Sequence, residues 1–406
     1  MDDRAVTGPL TGFRLLELGH FVAAPFATRL LADFGAEVIK VEPPGGDPVR
    51  QWGEQLGGHS LWWSVHARHK RSIAIDLKHK HAAALVLRLA ARCDAVVENF
   101  RPGQLDKLGL SEAALRGARP DIVIARVSGY GQDGPYRDRA AFGVIGEAIG
   151  GLRYLTNHPP GTTDLPPVRT GLSIGDSVAG LYAALGVVAA LLQRERHGTV
   201  PGAIDVALSE AVLSLTESVL PEYGALGRIR QPQGAGIATA APTSAYPTAD
   251  GAWMLIAANS DPLFARLAAL MDQPDLPADP RFAGNRARVR NVAALDAIIA
   301  AWTAPQDAAA LEARLTEADI PSTRVYTAAD CAADPQFRER GMVREVADPL
   351  LGPVLHPGFV PRFGDDPGAV RWTGPAVGAD TDAVLQDLLG MAPAERDALR
   401  ADGVIR

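Results

Sequence analysis

The chain has 406 residues, of which 47% are hydrophobic and 21% are charged, as in ordinary globular proteins. Its formal net charge of −7 is evidence against a general nucleic-acid-binding protein. The two cysteines, Cys93 and Cys331, lie too far apart to suggest a disulfide framework, and the nine histidines form no metal-ligand spacing, so we expect no metal site.

The sequence also carries no signal for export or membrane insertion. It begins Met-Asp-Asp-Arg, which is not a signal peptide, and it has no charge-free apolar run of roughly 18 residues or more. We therefore expect a cytoplasmic protein without a membrane partner. The length allows two domains and a large core.

The beginning of the chain predicts a strand, a helix and a second strand. The first strand covers residues 13–19, the helix covers residues 26–34 just after Pro25, and the second strand covers residues 36–42. Such a unit implies a parallel sheet with a ligand crevice at the carboxyl ends of its strands. Because no Gly-x-Gly-x-x-Gly follows the first strand, a dinucleotide cofactor is not supported.

Further short apolar runs predict more strands of the same sheet. They cover residues 72–77, 95–98, 122–127 and 203–206, with a helix at 82–91 between the first two. Several of these strands end in glycine-containing loops. The sequence therefore predicts a large α/β domain built on a doubly wound parallel sheet.

Between the second and third predicted strands the chain combines aromatic residues, at 61–63, with basic residues, at 69–71. One interpretation is a solvated run of charge beside an aromatic core patch, since exposed charge is common. The other is a basic entrance for a phosphorylated ligand. The sequence leaves both open.

The second half of the chain predicts a smaller α+β domain. After a helix at 209–220, residues 226–243 are rich in Gly, Pro, Gln and Ala and are typical of a linker. We predict a large domain at 1–225, the linker at 226–243, a small domain at 244–328 and a segment at 329–406 that returns to the large domain. The elements expected in the last two are strands near 244–246 and 253–256 and helices near 262–271, 293–302 and 381–389.

One acid, Asp176, stands in a stretch that is otherwise free of charge after Arg169. From Ser177 the chain predicts a buried helix, and small residues would let another backbone or a ligand come close to it. The residues that recur on one face of this helix are Leu181, Ala184, Leu185, Val188 and Leu192, and the glycines around the acid are Gly171, Gly175 and Gly180.

Two roles are open for Asp176. It could be an N-cap, whose carboxylate accepts the free N–H groups of the first helical turn. It could also be a nucleophile, kept ionised by the helix dipole in a setting where glycines admit a substrate carbonyl. Spacing alone does not choose between these roles.

Motifs along nearly the whole chain resemble the class III CoA-transferases, the CaiB/BaiF family of formyl-CoA transferase and carnitine CoA-transferase, which also includes α-methylacyl-CoA racemases. Each motif is short, but their order and intervals together are specific. They are Pro9-Leu10-Thr11-Gly12, Ala24-Pro25-Phe26-Ala27, Gly35 to Glu42, Lys70-Arg71-Ser72-Ile73, Glu98 to Gly103, Ser128 to Pro135, Gly175-Asp176 and Asp334-Pro335-Gln336-Phe337.

The resemblance implies that Asp176 is the catalytic aspartate and that the protein is an intertwined homodimer. In such enzymes the aspartate forms an acyl anhydride and then an enzyme–CoA thioester, and both must be kept from water. The partners implied are an acyl-CoA and a carboxylic acid, with no cofactor beyond the CoA substrate.

The resemblance also implies a set of CoA-binding residues. Val22 and Ala23 would line the CoA passage, and Tyr130 would lie near the pantetheine and acyl site. Those implied at the adenosine phosphate end are Ile75, Lys78, Asn99, Phe100, Lys107 and Leu108. For the two lysines surface solvation is the alternative to phosphate binding, and for Phe100 the alternative is a place in the core.

The chain departs from the family pattern at two places. Family members often carry a basic residue where this chain has Pro43, and a glycine-rich lid where it has residues 257–260. In the racemase branch a histidine follows Arg-Ala-Gly, whereas Phe142 follows here and cannot exchange a proton. Racemisation is therefore disfavoured, and a non-catalytic CoA-binding protein is the other alternative.

The substrates expected from the resemblance are succinyl-CoA or another dicarboxyl-CoA, on the strength of residues 257–259 and 334–337. Residues 58–63 are similar to enzymes that act on branched dicarboxylates of four or five carbons. Arg50 or Arg169 could clamp the distal carboxylate, and both could equally be surface ion pairs.

Overall fold

The computed structural model describes residues 7–364 and 368–406, which form two compact units. The first runs to Gly151 and includes Gly171–Thr216 and Pro335–Arg406. The second consists of Leu152–Thr170 and Glu217–Asp334. Its first segment is held by Gln231, whose Oε1 accepts from the Tyr154 hydroxyl at 2.8 Å. Residues 152–170 and 217–225, which the sequence assigned to the large domain, thus belong to the second unit, and the predicted division into folding domains stays a prediction.

The centre of the first unit is a six-stranded parallel sheet in the order β5-β2-β1-β6-β7-β8. Its strands are β1 (Arg14–Glu17), β2 (Glu37–Glu42), β5 (Lys70–Ala74), β6 (Ala95–Glu98), β7 (Val123–Ser128) and β8 (Ile204–Ala207). Two smaller hairpins are β3 (Gln55–Leu56) with β4 (His59–Ser60), and β12 (Val343–Asp348) with β13 (Gly352–Pro357). The predicted strands of the sheet are confirmed to within a few residues, whereas neither hairpin was predicted.

Helices cover the sheet. They are α1 (Ala23–Asp33), α2 (Leu61–His66), α3 (Ala82–Ala90), α4 (Gln104–Lys107), α5 (Glu112–Ala118), α6 (Gly143–Ile149), α8 (Ile174–His197), α9 (Leu208–Leu213), α16 (Pro335–Glu339), α17 (Thr381–Leu389) and α18 (Pro393–Ala401). Alternate strand residues enter two separate apolar clusters, as the strand period requires. Leu15 packs with α1 and α8, and Leu16 packs with α3 and α17.

The helix predicted at 209–220 is wrong as a single element. α9 ends at Leu213, and the next helix starts only at Val219. Between them Glu217 has a φ of 52°, a left-handed conformation that an α-helix cannot contain. A carboxylate side chain gives no sequence signal for such a turn.

α8 is longer than predicted and buries a different face. Of the predicted face only Ala184 is buried, while Leu181, Leu185, Val188 and Leu192 are 36% to 64% exposed. The buried side is rich in glycine and alanine but also contains Val187 and Leu191. At Gly180 α1 lies so close that no side chain would fit. Within the described ranges α8 is the helix long and apolar enough to cross a membrane, but half of its most apolar window is buried, as in a core helix.

The second unit is α+β, as predicted. Its antiparallel sheet has the order β11-β10-β9 and packs on helices around the side chains of Tyr246, Phe264 and Leu295. Its strands are β9 (Thr243–Pro247), β10 (Trp253–Ala257) and β11 (Ser322–Arg324). Its helices are α7 (Leu152–Leu155), α10 (Val219–Leu226), α11 (Asp261–Leu270), α12 (Asn285–Arg290), α13 (Val292–Thr303), α14 (Ala308–Glu317) and α15 (Ala328–Ala333).

Candidate active site

Asp176 lies inside the first turn of α8 and is half-buried. Ser173 occupies the N-cap position, two residues before Gly175, so the N-cap interpretation of Asp176 is wrong. Because the N-terminus of a helix carries partial positive charge, this position favours the ionised carboxylate. An ionised carboxylate is the form that can act as a nucleophile.

Glycines allow the Asp176 carboxylate to pack closely against α6. A Cβ atom added to Gly143 would stand 2.6 Å from Cγ of Asp176, and one added to Gly175 would stand 2.7 Å from the Gly143 carbonyl oxygen. Both distances are shorter than real Cβ contacts. Neither glycine has a positive φ, so the close approach of α6 and α8 is the reason that no side chain fits there.

α8 also touches the start of α1. A Cβ atom on Gly180 would stand 2.7 Å from the carbonyl oxygen of Ala23, the first residue of α1. Asp176 precedes Gly180 by four residues and therefore lies on the same face, one turn nearer the helix start. The two residues expected to line the CoA passage, Val22 and Ala23, thus border the side of α8 that carries Asp176. The expectation that small residues admit a neighbouring backbone is confirmed at Gly180.

The loop after β1, residues 18–22, is held by hydrogen bonds on both sides of its turn. Asn99, which follows β6, accepts from the His20 backbone N–H and donates to the His20 carbonyl oxygen, both at 2.8 Å. Asp47 accepts from the Phe21 N–H at 3.2 Å, and the Lys40 ammonium donates to the Gly19 carbonyl at 2.9 Å. The loop reaches α1 with Phe21 at a φ of 62°, in the left-handed region.

Aromatic rings lie beside this loop. The ring of Phe21 lies 4.8 Å from Trp52 and 6.1 Å from Phe142, measured between centroids, and Trp52 stacks on Trp62 at 5.5 Å. Phe142 directly precedes Gly143 and is 61% exposed. The row of rings therefore ends beside the residue that packs on Asp176. Sequence reasoning did not identify Phe21 or Trp52 as site residues.

A network of buried charged side chains lies against this loop. Glu17 accepts hydrogen bonds from Thr28, Lys40 and Lys70 at 2.6 to 2.8 Å. Burial lowers the pKa of Lys70 to about 8, whereas for Lys40 the carboxylates of Asp47 and Glu17 outweigh burial and raise the pKa above its ordinary value. The side chain of Asp47 is fully buried and forms an ion pair with Lys40 at 2.7 Å.

The basic stretch at 69–71 is neither a solvated charge run nor a basic entrance, so both interpretations are wrong. His69 and Lys70 are buried, and Arg71 is paired with Glu37 and Asp387. His69 directly precedes the strand β5, and Lys70 and Arg71 are its first residues. Their side chains pair with acids from neighbouring strands and helices. That pairing across the sheet is not visible in a local pattern.

Arg50 favours the ion-pair alternative over a substrate clamp. Its guanidinium donates twice to the Glu42 carboxylate, at 2.7 and 2.8 Å, and once to the Pro375 carbonyl. It also lies over the Trp63 ring at 3.6 Å. Several of its donors are therefore occupied within the protein. Arg169 belongs to the second unit and is exposed.

The other expected CoA-binding residues follow the carboxyl ends of the strands β5, β6 and β7, and Lys107 ends the helix α4. Ile75 is fully buried in an apolar cluster, against which half-buried Phe100 and Leu108 pack. Lys78 and Lys107 are exposed side chains. Tyr130 follows β7, with its ring 5.7 Å from that of Tyr136. The structure thus groups Val22, Ala23 and Asn99 around one loop, and Ile75, Phe100 and Leu108 around one cluster.

Glu98 is a further titratable group at the carboxyl ends of the strands. The sequence analysis gave it no role of its own. It ends β6 and is 4% exposed, and its Oε2 accepts from the Phe100 N–H at 2.6 Å. Burial raises the pKa of Glu98 to about 7. In residues 7–364 and 368–406 no three His, Cys, Asp or Glu side chains are grouped as metal ligands. The absence of a metal and of a cofactor other than CoA stays a prediction.

The chain belongs to CoA-transferase family III, whose family model matches residues 10–381, and it is therefore a class III CoA-transferase. It is 49% identical, over 98% of both chains, to succinyl-CoA–D-citramalate CoA-transferase of Chloroflexus aurantiacus. It is 33% identical to succinyl-CoA:glutarate CoA-transferase of Mus musculus, over 98% of this chain and 90% of that one. A CaiB/BaiF family protein from Brucella suis superposes with a TM-score of 0.82 at 33% identity, over 94% of this chain and 100% of that one. The family resemblance is confirmed.

Proposed function

We propose that this enzyme moves CoA from succinyl-CoA, or another dicarboxyl-CoA, to a branched dicarboxylic acid of four or five carbons. The relatives named above support the donor, and the 49% identical transferase supports a branched acceptor such as citramalate. The acceptor class agrees with the resemblance of residues 58–63. The observation that carries the chemistry is the carboxylate of Asp176, in the first turn of α8 and packed on Gly143.

In the proposed mechanism Asp176 attacks the thioester carbonyl of the donor, and CoA leaves as a thiolate. The thiolate then attacks the aspartyl carbonyl of the anhydride, which releases the donor acid and leaves an aspartyl–CoA thioester. The acceptor carboxylate attacks this thioester, forms a second anhydride and again frees the thiolate. The thiolate captures the new acyl group and returns Asp176 as a carboxylate.

Three features of the structure support these reaction steps. The α8 dipole favours the ionised form of Asp176. The start of α1 at Val22 and Ala23 presents first-turn N–H groups toward which a developing oxyanion could turn. The aromatic row of Phe21, Trp52 and Phe142 would keep water from the anhydrides.

For CoA itself we propose the residues given by the resemblance. Lys78 and Lys107 are exposed and could each meet a phosphate as a point charge. The remaining proposed contacts are Val22, Ala23, Ile75, Phe100, Leu108 and Tyr130. The resemblance implies Asn99 as well, but its side-chain oxygen and nitrogen are both bonded to the backbone of His20. No proton carrier stands at Phe142, and this disfavours the racemase alternative.

The experiment that tests the function replaces Asp176 by Asn. With succinyl-CoA and a panel of dicarboxylic acids, we expect Asp176→Asn to lower CoA transfer by about 10³-fold or more, as loss of a nucleophile does. The control is Asp133→Asn, an exposed acid in the loop after β7. Wild-type enzyme treated with succinyl-CoA and hydroxylamine should carry a hydroxamate at residue 176 by mass spectrometry. Full activity of Asp176→Asn would refute the assignment.

We further propose a doubly wound sheet and an interlocked homodimer, in agreement with the resemblance. The exposed leucine face of α8 supports the dimer, because Leu181, Leu185 and Leu192 form an apolar stripe that a second copy could cover. We expect the wild type to sediment as a dimer and Leu185→Lys to sediment as a monomer, with Gln193→Lys on the same helix as control. A monomeric wild type would contradict the proposal.

A further inference from the structure

The loop of residues 18–22 is held in place by side chains that come from two other segments. Asn99 stands at the end of β6, the neighbour of β1 in the sheet. Its amide oxygen and nitrogen are both bonded to the backbone of His20. An amide that already uses both ends on a loop is arranged to fix that loop.

Asp47 holds the next residue of the loop. It precedes the short 3₁₀ helix Pro48–Gln51, and its Oδ1 accepts from the N–H groups of Phe21 and Val49. Its Oδ2 meets the ammonium of Lys40, which also reaches the Gly19 carbonyl. Asp47 is thus a buried junction between the loop, the second strand and the 3₁₀ helix.

The held conformation is one that a phenylalanine adopts only under constraint. Phe21 has a φ of 62°, a region that favours glycine, and its N–H is the group that Asp47 binds. In this conformation the ring lies between Trp52 and Phe142. The next residues, Val22 and Ala23, start α1 where it meets α8 near Asp176.

We propose that Asp47 and Asn99 are positioning residues of the transfer reaction, which hold the 18–22 loop so that Phe21 and the start of α1 keep their places beside Asp176. This inference rests on the proposed function. It gives Asn99 a role different from the direct CoA contact that the resemblance implies. A CoA contact would act on substrate affinity, whereas a positioning residue acts on the rate of the bound complex.

The test compares Asn99→Ala and Asp47→Ala with Asp33→Ala. Asp33 is the matched control, because it is a buried carboxylate on a buried cation at the other end of α1. We expect the first two variants to lower kcat by about 10- to 100-fold while KM for succinyl-CoA changes by less than about threefold. Amide hydrogen exchange should become faster in residues 18–24 in these two variants and stay unchanged there in Asp33→Ala.

Different outcomes would overturn different parts. A raised KM at unchanged kcat in Asn99→Ala would show that Asn99 contacts CoA directly. A fall in kcat that Asp33→Ala reproduces at equal loss of thermal stability would show a merely structural role. If Asp47→Ala fails to fold, Asn99→Asp tests the positioning role in its place. This variant keeps the size of the side chain but replaces the donor to His20 by an oxygen, so it should lower kcat with little change in KM. If the wild type transfers no CoA, the proposed function fails, and hydrogen exchange still tests the loop.

Discussion

The two ends of α1 are built alike and serve different purposes. At the start, buried Asp47 pairs with Lys40 and the preceding Phe21 is left-handed; at the end, buried Asp33 pairs with Arg68, beside His69 at a φ of 62°. The start adjoins α8 near Asp176, whereas the end is covered by Phe359 and the Pro357 carbonyl. Similar ion pairs therefore have different consequences for function, depending on whether the backbone that they fix lies near Asp176 or far from it.

Removing Asp33 should affect stability and leave the chemistry intact. Arg68 is 1% exposed and binds Asp33 with two donors, at 2.6 and 2.9 Å. Asp33→Ala leaves this guanidinium buried without its carboxylate, and we expect the free energy of unfolding to fall by about 3–5 kcal/mol. Urea denaturation measures the loss. A large fall in kcat per folded molecule would break the comparison, because it would tie the far end of α1 to the reaction.

Gly143→Ala should affect the chemistry more than the fold. The added methyl group would displace the Asp176 carboxylate, and a misplacement of about 1 Å lowers activity by about 100-fold. Initial rates of CoA transfer measure this. Gly8→Ala is the control at the other end of α1, since its methyl group would meet the Phe34 carbonyl carbon at 2.7 Å. We expect it to lower the melting temperature with little change in kcat, and equal activity losses in both variants would remove the distinction.

The two ends should also respond to pH in opposite directions. Near the start, burial raises the pKa of Glu98 from 4.5 to about 7, so its contribution to stability is full below pH 4.5 and is lost as pH rises through 7. Near the end, burial and Arg68 lower the pKa of His356 from 6.5 to about 4, so its contribution is present above pH 6.5 and lost as pH falls through 4.

Chemical denaturation between about pH 5 and pH 8 tests these signs. Relative to wild type, Glu98→Gln should lose about 2 kcal/mol more stability at the acidic limit than at the basic one. His356→Gln should change in the opposite sense. A pH-independent difference between wild type and Glu98→Gln would show that Glu98 titrates normally in the folded protein.

Local patterns were enough to predict the parallel sheet and the location of Asp176 near the start of an apolar helix. Apolar runs such as 95–98 and 122–127 correspond to strands because buried parallel strands are apolar on both faces. Glycines around the acid indicated close backbones, and Gly175 and Gly180 do stand against other helices. In these places the chemistry of the residue itself determines the structure.

The rest depends on partners distant in sequence. Lys70 is buried because Glu17 reaches it from another strand, and no pattern around residue 70 contains that acid. The left-handed Phe21 requires the acceptor on Asp47, and Asn99 reaches the loop across the sheet. The leucine face of α8 was expected inside because apolar spacing predicts a buried side. Apolar spacing does not show which of two apolar sides of a helix packs on the core of its own chain.

The glycine contacts around Asp176 have a consequence for changing the acids that the enzyme accepts. Gly143, Gly175 and Gly180 leave no space into which a larger residue could be introduced, so this side of the nucleophile cannot be reshaped by substitution. Phe142, the neighbour of Gly143 in the chain, is mostly exposed and therefore leaves room for a different side chain. A library at residue 142, with the glycines untouched, is the natural starting point for new acyl acceptors.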